Sequence, residues 1–283
     1  MMKPVFMFAA LALATTAAAT TPATKPLTYQ TGTITLLGGK ATLTTGTTLR
    51  YLNAEGARRV IVDEWGNPPE AAEGTLGMIV PAGTDPGTRD GWGVVVTESK
   101  DGHVSDSDAA KTNYDQLMKD MQAATQDSNA EREKAGYGTL DLVGWADPPR
   151  YDAATHKMYW AKELAFSDNE HHTLNYAVRI LGRDDVLELN AVAGMEQLPQ
   201  IKKDMAAMLS QVSFTAGSRY EDFDGSTDKL AAYGVAGLVG VVAAKKIGLL
   251  ALLPLLLKKG WIVLLAGLAA FRRLFGRKGA AQA

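Results

Sequence analysis

The sequence predicts an α+β protein, in which antiparallel sheets are covered by helices and apolar membrane helices follow at the C-terminus. Short segments of alternating apolar and polar residues, separated by turn residues, are typical of hairpin strands. Longer segments carry apolar residues at helical spacing. The last 55 residues, 229–283, contain three apolar stretches and no acidic residue. We therefore expect a folded α+β domain at 30–228 and an apolar anchor at 229–283.

The first half of the domain mixes strand and helix signals. Residues 32–36 and 41–45 are Thr-rich strand candidates around Gly38 and Gly39, a pattern that predicts a hairpin. Asn53 is a suitable cap for a helix that extends to about Glu64. Two apolar strands are predicted next, at 76–80 and 92–97.

The second half predicts a helix over 113–134 and then three strands. Trp160, Tyr176 and Leu189 each lie in a strand where apolar and polar residues alternate. Turn residues 182–185 join the last two strands as a hairpin. A closing helix from Pro199 to Gln211 is expected to bury one apolar face: Ile201, Met205, Met208, Leu209 and Val212.

Two segments 80 residues apart resemble each other, Trp65-Gly66-Asn67-Pro68-Pro69 and Trp145-Ala146-Asp147-Pro148-Pro149. Two structurally related halves would explain them. Two coincidental turns are the favoured alternative, because Asn/Asp-Pro-Pro is ordinary turn sequence and tryptophans serve as packing anchors.

The two ends predict export and membrane attachment. Residues 1–19 have the positively charged, apolar and small-residue regions of a secretory signal peptide, and 20–29 are a Thr/Pro-rich start expected to be disordered. Lysine pairs at 245–246 and 258–259 interrupt the apolar tail, which leaves open one tilted span near 247–271 or a bent helical pair. The basic end, 272–278, predicts a cytoplasmic C-terminus and hence an inner-membrane protein whose domain lies outside the cytoplasm.

Small residues recur every four positions in the first part of the tail, at Ala232, Ala236, Gly240 and Ala244. Such a stripe favours close helix packing in lipid, and so a protein partner or a homo-oligomer. The alternative is that small residues are simply common in this segment.

Charge and composition exclude several classes of function. Residues 20–230 carry 20 basic and 31 acidic groups, a net charge of −11, which argues against nucleic acid as a partner. The expected partner is the lipid bilayer, through the apolar tail. The chain has no cysteine, so thiolate metal sites and disulfides are excluded. No phosphate loop or dinucleotide fingerprint is present, and no cofactor is predicted.

The densest group of chemically competent residues is His103, Asp106 and Asp108. It could serve a hydrolase or a small-ligand sensor, but it lacks the calcium-loop pattern, and no metal site is predicted. The alternative is a polar surface loop. The full candidate functional surface is Trp65, Asn67, His103, Asp106, Asp108, Trp145, Asn175, Arg179 and Arg183.

Short motifs along residues 30–278 resemble the bacterial domain-of-unknown-function family 2167, the uncharacterised membrane-anchored proteins. They are Glu64-Trp65-Gly66-Asn67-Pro68-Pro69, Leu76-Gly77-Met78, Gly102-His103-Val104 with Asp106 and Asp108, Gly144-Trp145 with Pro149 and Tyr151-Asp152, Trp160-Ala161, Leu174-Asn175-Tyr176 with Arg179, Leu181-Gly182-Arg183, Asp228-Lys229 and Tyr233-Gly234. The resemblance implies export and a C-terminal membrane anchor, and it implies no activity, cofactor or catalytic residue.

The leading functional hypothesis is an envelope protein whose extracytoplasmic domain binds a partner or supports an assembly without catalysis. The alternatives are an envelope hydrolase and a small-ligand sensor that use the region of His103, Asp106 and Asp108, or, for the hydrolase, a pair of carboxylates.

Overall fold

A computed structural model describes residues 26–88, 90–109 and 112–239. Its described residues form an α+β domain whose strands are all paired antiparallel, as the sequence predicts. The strands are β1 Thr33–Leu36, β2 Ala41–Thr44, β3 Leu49–Asn53, β4 Gly77–Pro81, β5 Gly93–Ser99, β6 Leu140–Asp152, β7 Lys157–Phe166, β8 Thr173–Leu181, β9 Val186–Gly194 and β10 Val212–Phe214.

The strands make one large and one small sheet. The large sheet has seven strands in the order β3-β4-β5-β9-β8-β7-β6. The small sheet has the order β1-β2-β10, so the last strand returns to the hairpin at the start of the domain. The predicted hairpins β1–β2 and β8–β9 are both confirmed.

Three α-helices connect and cover the sheets. They are α1 Ala54–Arg59, which continues as a π-helical turn Val60–Glu64, α2 Tyr114–Lys134 and α3 Leu198–Leu209. Asn53 caps α1 by accepting a hydrogen bond from the Gly56 N–H, and Asn113 caps α2 in the same way. Both caps satisfy an N–H that has no partner inside its helix, which is why these two starts were readable from sequence.

One face of the large sheet carries the main core. The residues of β8 and β9 that were predicted to be buried, among them Leu174, Tyr176, Leu187 and Leu189, pack there against α3 and the small sheet. Ile201 and Met205 of α3 are almost completely buried in this layer. Alternation of period two along the strands and 3.6 along the helix brings these apolar groups to one interface.

The opposite face of the large sheet is covered only in patches. α1 packs over β3 and β4 at one edge, and α2 packs over β6 at the other edge. A third patch joins Met158 and Leu181 to the C-terminal residues Val235, Leu238 and Val239. Between these patches, none of the described residues covers the middle of the sheet face.

Four local expectations are corrected by the structure. α3 ends at Leu209 and Val212 belongs to β10, where pairing with β2 satisfies its backbone. Pro149 and the Trp145 motif lie inside the long strand β6, whose register shifts between residues 142 and 150, so this segment is a bulged strand and not a turn. The Trp65 motif instead leads into a short 3₁₀ turn, and the two similar sequences therefore adopt different conformations.

The boundaries of the domain also differ from expectation. Leu27 and Tyr29, in the segment expected to be disordered, pack against the cluster under α1, and Arg50 lies 3.6 Å above the Tyr29 ring. At the other end the domain continues past residue 228, because Val235 and Val239 are buried in its core. Burial of these two valines stabilises the docked segment, because each removes more apolar surface from water than the neighbouring glycines and alanines do.

The small-residue stripe is only partly described. Ala232 is exposed and precedes the helical residues 235–239, and Ala236 is half-buried while Val235 and Val239 face the domain. Gly240 and Ala244 lie outside the described residues, as do the predicted signal peptide 1–19 and the tail from 240 onwards. Within the described residues, no helix combines the length and apolar character required to cross a bilayer.

Candidate functional site

The open part of the large sheet forms a groove with a cavity volume of about 900 Å³. Its floor is the sheet itself, and its sides come from the end of α1 and from the β7–β8 end of the sheet. Ligand clefts are typically concave spaces of about 300–1,000 Å³ with a few polar groups on apolar walls. We call this space the sheet groove.

The strand register places the floor residues of the sheet groove. Ala177 of β8 lies directly opposite Trp160 on β7 and Asn190 on β9. Two positions away along β8, Arg179 and Asn175 point to the same face as Ala177. The small side chain of Ala177 is thus surrounded by four side chains that can donate hydrogen bonds. All five residues line the cavity: Ala177, Trp160, Asn190, Arg179 and Asn175.

The Arg179 guanidinium is the deepest charge in the sheet groove. Its side chain is 5% exposed, and its Nε lies 3.6 Å from the Glu188 carboxylate, which accepts a hydrogen bond from the Thr97 hydroxyl. Burial lowers the pKa of Arg179 from its usual range, and the negative charge of Glu188 opposes that shift. The pair therefore neutralises the inner end of the floor.

Two buried N–H groups at this end make no hydrogen bond within the described part of the chain. They are the Nε of Arg179, which faces the Glu188 carboxylate in an ion pair, and the Nε1 of Trp160. The Cζ of Arg179 lies 4.9 Å from the centroid of the Trp160 ring. A buried donor without an acceptor costs about 1–3 kcal/mol, and this cost applies to the Trp160 indole, whereas the charge of Glu188 offsets it for Arg179.

The walls of the sheet groove are amphipathic. Trp65 stands at the side formed by α1, with its indole N–H bonded to the Pro86 carbonyl at 2.8 Å. Asn67 lies beside it and donates to the Ile61 carbonyl at 3.1 Å. The π-helical turn that precedes Trp65 is a feature that recurs at functional sites. Leu164 and Phe166 supply the apolar part of the other wall.

Carboxylates mark the rim of the sheet groove, at Glu64, Asp168 and Glu196. Burial raises the pKa of Glu64, and the nearby Arg59 partly offsets this. Lys162 lies on the floor between these acids, opposite Asn175 in the strand register. The floor is therefore rich in donors and the rim is rich in acceptors.

His103 and Asp106 lie in a different part of the molecule. His103 is buried between Phe223 and Tyr220, with ring centroids 3.9 Å and 4.4 Å away, and Tyr220 stacks in turn on His156 at 4.0 Å. We call these four rings the aromatic stack. The Nδ1 of His103 is 3.0 Å from the Arg183 carbonyl oxygen.

Asp106 contacts this stack from its outer end. Its carboxylate accepts a hydrogen bond of 3.1 Å from the Tyr151 hydroxyl, which also lies 3.2 Å from the Nδ1 of His156. Burial and the charge of Asp106 raise the pKa of Tyr151 far above its usual value. The Tyr151 hydroxyl therefore keeps its proton and remains a hydrogen-bond donor to Asp106.

The remaining candidate residues have structural contacts. The Trp145 indole donates to the Tyr114 carbonyl at 3.3 Å and packs beneath α2. Arg183 holds Asp228 through two hydrogen bonds, of 2.7 and 2.9 Å. Asp108 lies against Gly234, where a Cβ would come within 2.4 Å of its carboxylate.

Of the nine candidate surface residues, four line the sheet groove: Trp65, Asn67, Asn175 and Arg179. His103 and Arg183 instead support the docking of residues 228–235, because His103 pairs with Leu230 and Arg183 with Asp228, whereas Asp106 bonds to Tyr151. Within the described residues no three His, Asp or Glu side chains are grouped as a metal site.

Sequence reasoning missed several groove residues. The cavity is also lined by Trp160, Lys162, Glu188 and Asn190. From the alternation of apolar and polar residues, Trp160 was expected on a buried face and Glu188 and Asn190 on a polar face. A signal was present, since polar residues at every second position of two neighbouring strands predict a shared polar face. Which strands are neighbours was the information that the sequence lacked.

Comparison with solved structures found two similar chains at low identity. The solution structure of cyanobacterial PsbP (CyanoP) from Synechocystis sp. PCC 6803 is 11% identical, with a TM-score of 0.37, over 68% of this chain and 96% of that one. The crystal structure of the Saccharomyces cerevisiae Ran-binding protein Mog1p is 11% identical, with a TM-score of 0.30, over 67% and 96% of the two chains.

Among curated proteins, none has a sequence that matches this chain. A family model matches residues 28–269, which is most of the chain and includes every strand of both sheets. The chain therefore belongs to the family described as "Protein of unknown function (DUF2167)".

Proposed function

We propose that this protein is a binding protein of the cell envelope, and that its α+β domain takes a polar, acceptor-rich ligand in the sheet groove without transforming it. The observation that carries the proposal is a cavity whose floor presents the side chains of Lys162, Asn175 and Asn190 beside the Trp160 indole. The export signal and the basic, apolar tail support a location outside the cytoplasm with the C-terminus inside.

Binding is favoured over hydrolysis by the contacts of the alternative residues. The His103 ring is enclosed by Tyr220 and Phe223, and its Nδ1 already faces a backbone carbonyl. A general base requires its partners and a substrate proton within hydrogen-bond reach. The sheet groove offers instead a preformed concave surface with donors at fixed positions, as a ligand sensor or an assembly domain requires.

Photocrosslinking in living cells tests the proposal. A benzophenone amino acid replaces Glu196 at the groove rim in the full chain, and the control variant carries it at Ser213, which is exposed on the small sheet. We expect an adduct from position 196 that is absent from position 213 and is lost when Thr173→Trp fills the floor. Equal adducts at the two positions, or none at 196, would exclude the sheet groove as the binding surface.

A further inference from the structure

The C-terminal segment leaves the domain at the sheet groove. Residues 228–239 are docked by the Arg183–Asp228 ion pair, by the pairing of His103 with Leu230, and by the burial of Val235 and Val239. Val239 lines the cavity itself. The point at which the described chain ends is therefore fixed to the domain, beside the ligand site.

The distance from this point to the apolar tail is short. Ile247, the first residue of an apolar run of 11, follows Val239 by eight positions. Eight residues span at most about 28 Å when fully extended. If the tail enters a bilayer at Ile247, the end of the sheet groove at Val239 lies within that distance of the membrane surface.

The chemistry of the sheet groove matches a molecule from that surface. The floor presents the Lys162 ammonium beside the amides of Asn175 and Asn190, which are donors for a phosphate. Carboxylates stand at the rim, at Glu64, Asp168 and Glu196, where they can pair with a headgroup amine. The apolar walls around Trp65 and Leu164 suit the start of an acyl chain.

We propose that the sheet groove faces the membrane and binds the headgroup of a zwitterionic phospholipid, with phosphate on the floor and amine at the rim. This inference rests on the proposed binding function and names its ligand. An anionic lipid fits less well, because the rim carboxylates and the net charge of −11 on residues 20–230 repel it.

Native mass spectrometry of the full chain, released from detergent after extraction with membrane lipid, tests the ligand. We expect one retained phosphatidylethanolamine, and about a tenfold lower retained fraction in Lys162→Met. The matched control is Lys157→Met, the same change on the same strand but on the opposite sheet face, which should retain lipid as the unaltered chain does. Retention of phosphatidylglycerol in preference, or equal loss in both variants, would overturn the proposal.

A second measurement separates the lipid from free phosphate and tests orientation. The chain has no cysteine, so single-cysteine variants at Asn67 and Ser213 accept one fluorophore each in reconstituted vesicles. We expect a headgroup-labelled quencher lipid to quench position 67 several-fold more than position 213, and inorganic phosphate to leave this difference unchanged.

Different outcomes of these experiments exclude the lipid and the binding function. Equal quenching, together with a protein adduct from position 196 in cells, would exclude the lipid and keep the sheet groove as a binding surface. Loss of the quenching difference on addition of inorganic phosphate would assign the site to the free anion. Absence of both the adduct and retained lipid would exclude the binding function itself.

Discussion

The indole of Trp160 and the guanidinium of Arg179 lie on neighbouring strands, with Cζ 4.9 Å from the ring centroid, and the buried indole N–H has no hydrogen-bond acceptor among the described residues. The two residues are held there for different reasons. Trp160 packs against Val239 and Ala177, whereas Arg179 is balanced by Glu188. The inner end of the sheet groove thus combines apolar packing, an ion pair and an indole N–H that makes no hydrogen bond among the described residues. We expect the stability of the domain to depend on all three.

Removal of the Arg179 charge should destabilise the domain strongly. Arg179→Met leaves the Glu188 carboxylate half-paired and nearly buried, which costs about 3–5 kcal/mol of the free energy of unfolding. The double variant Arg179→Met/Glu188→Gln should recover more than half of the loss, because no uncompensated charge remains. Thermal unfolding of the full chain in detergent, followed by circular dichroism, measures both; equal midpoints for the single and double variants would contradict the pairing.

His103 should behave as a packing residue. His103→Ala removes a ring from between Tyr220 and Phe223 and is expected to cost about 3 kcal/mol. His103→Phe keeps the stack, loses only the contact with the Arg183 carbonyl, and should cost about 1 kcal/mol. Chemical denaturation compares the two variants. Equal losses for Ala and Phe would show that the hydrogen bond, and not stacking, is the dominant contribution.

Docking of the C-terminal segment should depend on pH through Asp228. Hydrogen bonds from Arg183 hold the pKa of this carboxyl well below its usual range. Its contribution is therefore complete above the unfolded pKa, at about 3.9, and is lost as the pH falls through the lower folded value. We expect exchange of the Ala231 amide, which donates to the His103 carbonyl, to accelerate specifically below about pH 4.

The matched variants for this pH effect are Asp228→Asn and Asp127→Asn. The first removes the carboxylate and should show fast exchange at the Ala231 amide already at neutral pH. The second changes an exposed aspartate of α2 and should leave the exchange rate unchanged. A protected Ala231 amide in Asp228→Asn would show that apolar burial alone holds the segment.

Gly102 should be more sensitive to substitution than another glycine of similar backbone conformation. Gly102 has a φ of +105°, and a Cβ there would lie 2.5 Å from the Lys229 carbonyl oxygen. Gly83 has a φ of +82° with no heavy atom within 4 Å of the same position, so Gly83→Ala should cost only about 1–2 kcal/mol. Gly102→Ala should cost more and expose residues 228–239 to limited proteolysis.

Some of the architecture followed from sequence periodicity. The strand alternation around Tyr176 and Leu189, the helix cap Asn53, the helix start near 113 and the hairpin at 182–185 are local features, and each was correct. Local features are readable because one turn of helix or one strand pair carries its own hydrogen bonds. The segment around Trp145 has a turn-like sequence but forms a strand, because its backbone pairs with β7.

The functional surface was predicted only in part. Trp65, Asn67, Asn175 and Arg179 were identified and do line the sheet groove, whereas His103 pairs with the C-terminal segment and Asp106 bonds to Tyr151. Asn129, which no pattern marked, bonds both backbone groups of Leu140 and ties α2 to β6. Such bonds join residues that the chain brings together only after folding, so their sequence spacing carries no signal.

By itself the sequence determined the class of the protein: α+β elements, an acidic domain, and ends that predict export and membrane attachment, because composition and periodicity are local properties. Tertiary structure alone decided which strands are neighbours. That order, β5-β9-β8-β7, places Glu188, Asn190, Arg179, Asn175 and Trp160 on one face and leaves it uncovered between α1 and α2. Side chains from distant parts of the chain meet only when burial of the opposite, apolar face fixes the sheet.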